Sequence, residues 1–194
     1  MEYLPEKKEI LLNRELSELD KFVIKFINIF KRHARYVIMS GYVSIILGRS
    51  RSTEDVDLFL EKISESKFKE LFNDLDGENF WCLNTSNVEE MYDYLKRGFA
   101  IRFAEKEKAI PNFEIKFPKD EVDEETFSDS VVVKTSKGDL LISSPERHIA
   151  FKRYYLASDK DEEDALHVEE IFKGKIDYDK IEKLRKRIKN EKQR

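Results

Sequence analysis

Between residues 16 and 33, Leu19, Phe22, Val23, Phe26, Ile27 and Phe30 recur at helical spacing, which predicts an amphipathic helix with Ser17 as its cap. The next stretch, Tyr36 to Leu60, reads as a strand, a tight turn of small residues, a short apolar helix, a basic loop and a second strand carrying Asp55-Val56-Asp57. Ser64 is placed to cap a helix whose apolar face is Phe68, Leu71, Phe72 and Leu75 and which ends near Asp76-Gly77. NFWCLN predicts a strand, and Val88 to Lys96 a helix stopped by Gly98. FAIRF (99–103) and NFEIKF (112–117) flank a polar turn and predict a hairpin. DSVVVKT and DLLIS, separated by Ser136-Lys137-Gly138, predict another.

From Ser144 the pattern becomes helical. Ser144-Pro145-Glu146 supplies a cap, a proline for the first turn and an acid near the helix dipole. Gly174 then reads as a stop, and Asp177 as the cap of a last helix. The fold class expected is α+β: a mixed, mostly antiparallel sheet flanked by helices, with a C-terminal helical extension. Residues 1–143 are expected to form the core and residues 144–194 a helical segment packed on it.

Composition narrows the function classes. The chain has 194 residues, enough for a real core, and a formal net charge of −4, so it carries no overall nucleic-acid signature. Its single cysteine, Cys82, excludes an internal disulfide and a cysteine-rich zinc site, and its apolar neighbours make it a core residue. His33, His148 and His167 lack zinc-ligand spacing, and His148 is expected to be packed. No apolar run reaches membrane-spanning length and MEYLPEKKEI lacks a signal peptide's apolar centre, so no membrane and a cytoplasmic location are expected.

Candidate chemistry lies in the 36–60 stretch. On a strand, successive side chains point to opposite faces, so Asp55 and Asp57 project together while Val56 and Leu58 face inward. Two adjacent carboxylates repel unless a cation sits between them. Hard oxygen ligands at this spacing suit Mg²⁺, which also binds substrate phosphates. Ser40-Gly41 places free backbone N–H groups at a helix start, a docking point for phosphate. Each feature alone is commonplace; their combination argues for phosphoryl or nucleotidyl transfer.

These residues resemble the nucleotidyltransferase superfamily of the DNA polymerase β type, where a Gly-Gly or Gly-Ser turn precedes an Asp-hydrophobic-Asp strand. More narrowly, Gly48, Arg51, Thr53, Asp55 and Asp57 match G-x-x-R-x-T-x-D-h-D, a pattern similar to small prokaryotic proteins related to AbiEii toxins and to antibiotic nucleotidyltransferases. Ser40-Gly41 stands where that group usually has Gly-Gly. The resemblance implies transfer of a nucleoside monophosphate from an NTP, ATP foremost, to an acceptor hydroxyl, with one or two Mg²⁺ ions or with Mn²⁺. It implies Asp55 and Asp57 as metal ligands and a third carboxylate on a neighbouring strand, for which Glu114 is the best match. The alternative for Glu114 is a strand residue paired across the hairpin with Arg102.

The run SPERHIAFKRYYLASDKDEEDAL resembles a second motif of the AbiEii-like proteins, with Lys152 at its lysine and Lys160, Asp161 and Asp164 at its charged cluster. The resemblance puts Lys152, Asp161 and Asp164, with Ser40, Gly41 and Arg51, in the nucleotide site. Helical spacing places Lys152 on an apolar stripe with Ile149 and Leu156, and Asp161 and Asp164 in line with Val168 and Ile171. Inward charges need partners, so a lysine–aspartate ion pair is the structural alternative. Two rival functions stay open: a degenerate protein that binds nucleotide without chemistry, and a toxin–antitoxin component acting on tRNA through the basic run 183–194. The acceptor is a small molecule, a protein or a tRNA.

Overall fold

The computed structural model describes residues 1–191. In chain order the elements are β1 (Glu2–Leu4), a 3₁₀ turn (Pro5–Lys7), β2 (Glu9–Leu11), α1 (Glu18–Phe30), β3 (Tyr36–Met39), α2 (Gly41–Ile46), β4 (Asp55–Leu60), α3 (Glu65–Gly77), β5 (Phe80–Cys82) and α4 (Val88–Lys96). There follow β6 (Ile101–Glu105), β7 (Asn112–Lys116), α5 (Glu121–Ser128), β8 (Ser130–Thr135), β9 (Gly138–Ser143), α6 (Pro145–Ala150), a π-helical turn (Phe151–Leu156), α7 (Asp159–Ile171) and α8 (Tyr178–Glu191).

The strands form one mixed sheet in the order β1-β2-β8-β9-β3-β4-β7-β6-β5. Antiparallel pairings predominate, with parallel joins at β2–β8, β9–β3 and β4–β7. The class is therefore α+β, as the pattern implied. Both expected hairpins form, β6–β7 and β8–β9. Helix α1 starts where Ser17 and Asp20 complete a reciprocal capping box, and buries Val23, Phe26, Ile27 and Phe30. Its Phe26 stacks on Phe113 of β7 with ring centroids 3.7 Å apart, fixing the helix over the middle of the sheet. Ser64 caps α3 and Asp177 accepts a hydrogen bond from the Lys180 backbone N–H at the start of α8.

Three features escaped the pattern. The short β1–β2 hairpin extends the sheet by parallel pairing with β8. Helix α5 follows β7, capped by Asp120. The helix begun at Ser144 passes into a π turn at Phe151 and ends at Ala157, whose φ is 57°. That turn breaks the 3.6-residue spacing: Ile149 and Lys152 are buried, whereas Leu156 is 41% exposed and leaves the stripe expected for it. Among the described residues no helix is long and apolar enough to cross a membrane.

Candidate active site

Alternation along β4 does what the sequence requires of it. Val56 and Leu58 are buried in the core, and Asp55 and Asp57 emerge on the opposite face. Parallel pairing with β7 sets Asp55 opposite Asn112 and Asp57 opposite Glu114, so the acid pair meets the polar face of β7. On the other side β3 delivers Met39 opposite Asp57 and then turns at Ser40 into α2.

That turn is strained. Ser40 has φ 59° and ψ −136°, a conformation natural to glycine and costly for serine by about 1–3 kcal/mol. Its hydroxyl makes no capping bond and helps to hold the Asp57 carboxyl down. Gly41 is closely approached for a different reason: a Cβ there would lie 3.0 Å from Nη2 of Arg51. Tyr42 anchors the turn from behind, donating its hydroxyl to buried Asp20 at 2.8 Å.

Charge is unbalanced at the acid pair. Burial, then the charges of Asp55 and Glu114, push the Asp57 carboxyl up to about 6, against partial relief from Lys116 and Ser40. Thr53 holds Asp55 by donating its hydroxyl to the Asp55 carbonyl at 2.9 Å and carboxylate at 3.2 Å. Burial would raise Glu114 too, but Lys116 and Arg102 outweigh it and its carboxyl falls below the usual range. Arg102 reaches Glu114 Oε2 at 2.5 Å and Lys116 reaches Oε1 at 2.5 Å. Thus the cross-hairpin pair with Arg102 forms, and Glu114 also stands beside Asp57.

The donor set suits a hard cation of limited protein coordination. Two like-charged oxygens sit side by side, and across from Asp55 the buried Asn112 Oδ1 has no hydrogen-bond partner. Among the described residues no three acid, histidine or cysteine side chains gather closely enough to hold a metal ion by themselves. Mg²⁺ that completes its shell with phosphate and water fits two carboxylates. Glu114, the third ligand the resemblance implied, is tied to Arg102 and Lys116.

A cleft of about 310 Å³ opens over this face, with Ser40, Asp57, Lys116, Lys119, Phe151 and Tyr155 among its lining residues. Phe151 and Tyr155 stack at 4.6 Å on the π turn, nearly parallel at 14°. Sequence reasoning passed over Lys116, although its place two residues beyond Glu114 puts it on the same strand face. It also passed over the aromatic pair, because four-residue spacing on an assumed α-helix reads as ordinary packing.

The second expected set lies elsewhere. Lys152 is 2% exposed and bridges Asp161 at 2.8 Å and Asp164 at 3.0 Å. Asp164 is fully buried and also binds Arg51 at 2.5 Å and Arg49. Arg49 further meets Glu163 at 2.5 Å. Burial raises Asp161 and Asp164, but the bond from Lys152 overcomes it and both carboxyls end below the usual range. None of these residues lines the Asp57 cleft. The structure thus places Lys152, Asp161 and Asp164 in an ion cluster, the alternative the helical spacing left open, and Arg51 links that cluster to Gly41. His148 is buried against it, its imidazole bonded to Ser44 at 2.9 Å.

Residues 23–194 match the family described as nucleotidyl transferase of unknown function (DUF2204). The chain belongs to that family. Two solved structures share the fold. The antibiotic-resistance factor ANT(2'')-Ia is 16% identical with a TM-score of 0.53, covering 89% of this chain and 94% of its own. An antigenic nucleotidyltransferase-like protein from Paracoccidioides brasiliensis is 16% identical with a TM-score of 0.55, covering 89% of this chain and 87% of its own. No curated protein matches.

Proposed function

We propose that the chain transfers a nucleoside monophosphate from an NTP, with ATP the favoured donor, to an acceptor hydroxyl in a divalent-metal-dependent reaction. One observation carries this reading: Asp55 and Asp57 share a strand face beside the strained Ser40 turn, and nearby Lys116 only partly offsets their charge. Mg²⁺ bound at these carboxylates, or Mn²⁺ in its place, would neutralise charge on the α-phosphate and on departing pyrophosphate. Ser40 and Gly41 offer the turn against which phosphates lie. Lys116 and Lys119 line the same cleft and attract the polyphosphate, and the Phe151–Tyr155 stack offers a flat apolar wall to the base.

In the transfer, the acceptor oxygen bonds to the α-phosphorus as the bond to the pyrophosphate oxygen breaks. The acceptor's proton leaves to solvent, giving the nucleotidylated acceptor and pyrophosphate. Glu114 is poorly suited to take that proton because its carboxyl is held low by Lys116 and Arg102. Its role is to hold Lys116 beside Asp57. Arg51, fixed by Asp164, packs under Gly41 and keeps the turn in shape. A reaction that consumes NTPs suits the cytoplasm, where this reading puts the protein.

The decisive experiment incubates the protein with each α-labelled NTP and Mg²⁺ or Mn²⁺ in cell extract. Label is expected in one acceptor fraction with wild type and none with a folded Asp57→Ala variant. Retained labelling by that variant at a comparable rate defeats the reading. A nucleotide-binding protein without chemistry is the second reading, favoured by the engagement of Glu114 with Arg102. Metal-dependent ATP affinity in the absence of any labelling would decide for it.

A further inference from the structure

A second cavity, about 460 Å³, adjoins the Asp57 cleft and shares Phe117 and Lys119 with it. Its charged lining residues are Lys62, Lys96, Arg97 and Lys119, all cationic, in a chain whose net charge is −4. Tyr92 supplies aromatic surface between them, its ring meeting that of buried Phe117 edge to face at 6.0 Å.

The nearby acids do little to neutralise this groove. Lys62 meets Glu124 at 3.1 Å and Arg97 meets Asp93 at 3.6 Å, both in half-exposed pairs of the weak surface kind. Lys96 lies over the Tyr92 ring, 5.5 Å from its centroid. The stem of Lys119 packs against Gly98, where a Cβ would come within 3.2 Å of Cε. Gly98, whose φ of 79° favours glycine, thus borders this lysine at the junction with the cleft. On the cleft side the acids near Lys119 are Asp120 and Asp123, and Asp123 is already bonded to the Lys119 backbone N–H.

We propose that this groove binds the phosphate of the acceptor, so that the accepting hydroxyl belongs to a phosphate-bearing molecule lying from Lys62 toward Asp57. The inference rests on the transfer reading above and names its missing substrate class. A cation-lined groove with aromatic surface suits the backbone of a nucleic-acid strand end, and a small phosphomonoester offers the same chemistry at one position.

The test measures binding of a single-stranded RNA oligonucleotide and of ribose 5-phosphate to wild type and to the double variant Lys96→Glu, Arg97→Glu across a salt series. ATP–Mg²⁺ affinity and thermal melting serve as controls, since neither residue lines the Asp57 cleft. We expect oligonucleotide affinity to fall at least tenfold in the variant, with a shallower salt dependence by about 1.4 in logarithmic slope for two lost phosphate contacts. A tenfold loss for ribose 5-phosphate alone also supports the groove and selects a small acceptor. Unchanged affinity for both probes, or no binding of either by wild type, overturns the inference. Because both probes are read without turnover, failure of the transfer reading appears separately, as absent labelling or absent metal-dependent ATP binding.

Discussion

Two groups of charge, one at the Asp55–Asp57 face and one around Asp164, differ in a single physical respect. At Asp164 every charge is answered: Arg49, Arg51 and Lys152 surround one buried carboxylate, and Asp161 takes the other side of Lys152. At Asp57 two more acids stand against Lys116 alone, and the carboxyl is pushed up to about 6 first by burial and then by those like charges. Paired charge of the first kind ties α7 to the loop before β4 and to the π turn. Buried charge of the second kind, only partly offset, is the kind that clusters at functional sites. Both groups carry residues that resembled family motifs, so the motif alone does not separate the roles.

The comparison can be broken most sharply at its two carboxylates. Asp57→Ala is expected to reduce transfer at least a thousandfold, about 4 kcal/mol of barrier, while leaving the melting temperature unchanged or higher. Labelling rate and thermal melting measured on the same preparation check both halves. Asp164→Asn should do the reverse. It leaves three cations facing a neutral amide in a dry site, with an expected loss of about 3–5 kcal/mol of folding stability in urea titration. Equal destabilisation by the two variants would erase the distinction between scaffold and site.

A pH series sharpens the scaffold side. Burial, and then the charge of Lys152, hold the His148 imidazole down at about 3, so it is neutral in the folded protein. The unfolded chain binds that proton at about 6.5. Stability associated with His148 is therefore complete above about pH 6.5 and is lost as pH falls from there toward 3. His148→Gln should flatten this part of the stability curve relative to wild type, read by melting temperature at each pH. Identical slopes would mean that the ring is already charged in the fold.

The smallest expected effect concerns the turn. Ser40→Gly should raise stability by about 1 kcal/mol by relieving a positive φ, and should weaken the hold on Asp57 by removing a hydroxyl. A lower melting temperature would show that the hydroxyl's effect on Asp57 outweighs the backbone strain.

Much of the fold was legible because its signals are local. Ser17, Ser64 and Asp177 cap helices through bonds to residues three positions on, and the helix over Val88–Lys96 is framed by Asn87 and Gly98. The acid pair was legible for the same reason, since strand alternation alone puts Asp55 and Asp57 on one face. Helix α5 was missed because Val122 and Phe127 make a thin apolar stripe in a charged segment, although Asp120 with Asp123 three residues later was a usable cap signal. Strands β1 and β2 are three residues each, too short for a period, and β2 is held by pairing with a strand more than a hundred residues away.

By itself, then, the order of residues determined which segments coil or extend, where helices begin, and that two carboxylates stand together on a strand. Those properties depend on bonds within a few residues. Only the tertiary structure decided that Glu114 faces Asp57 yet is held by Arg102 and Lys116, and that Arg49 meets an aspartate 115 positions further on. It likewise decided that a cationic groove runs into the acid cleft. Coulomb partners are chosen by distance in space, and chain separation carries no information about that distance.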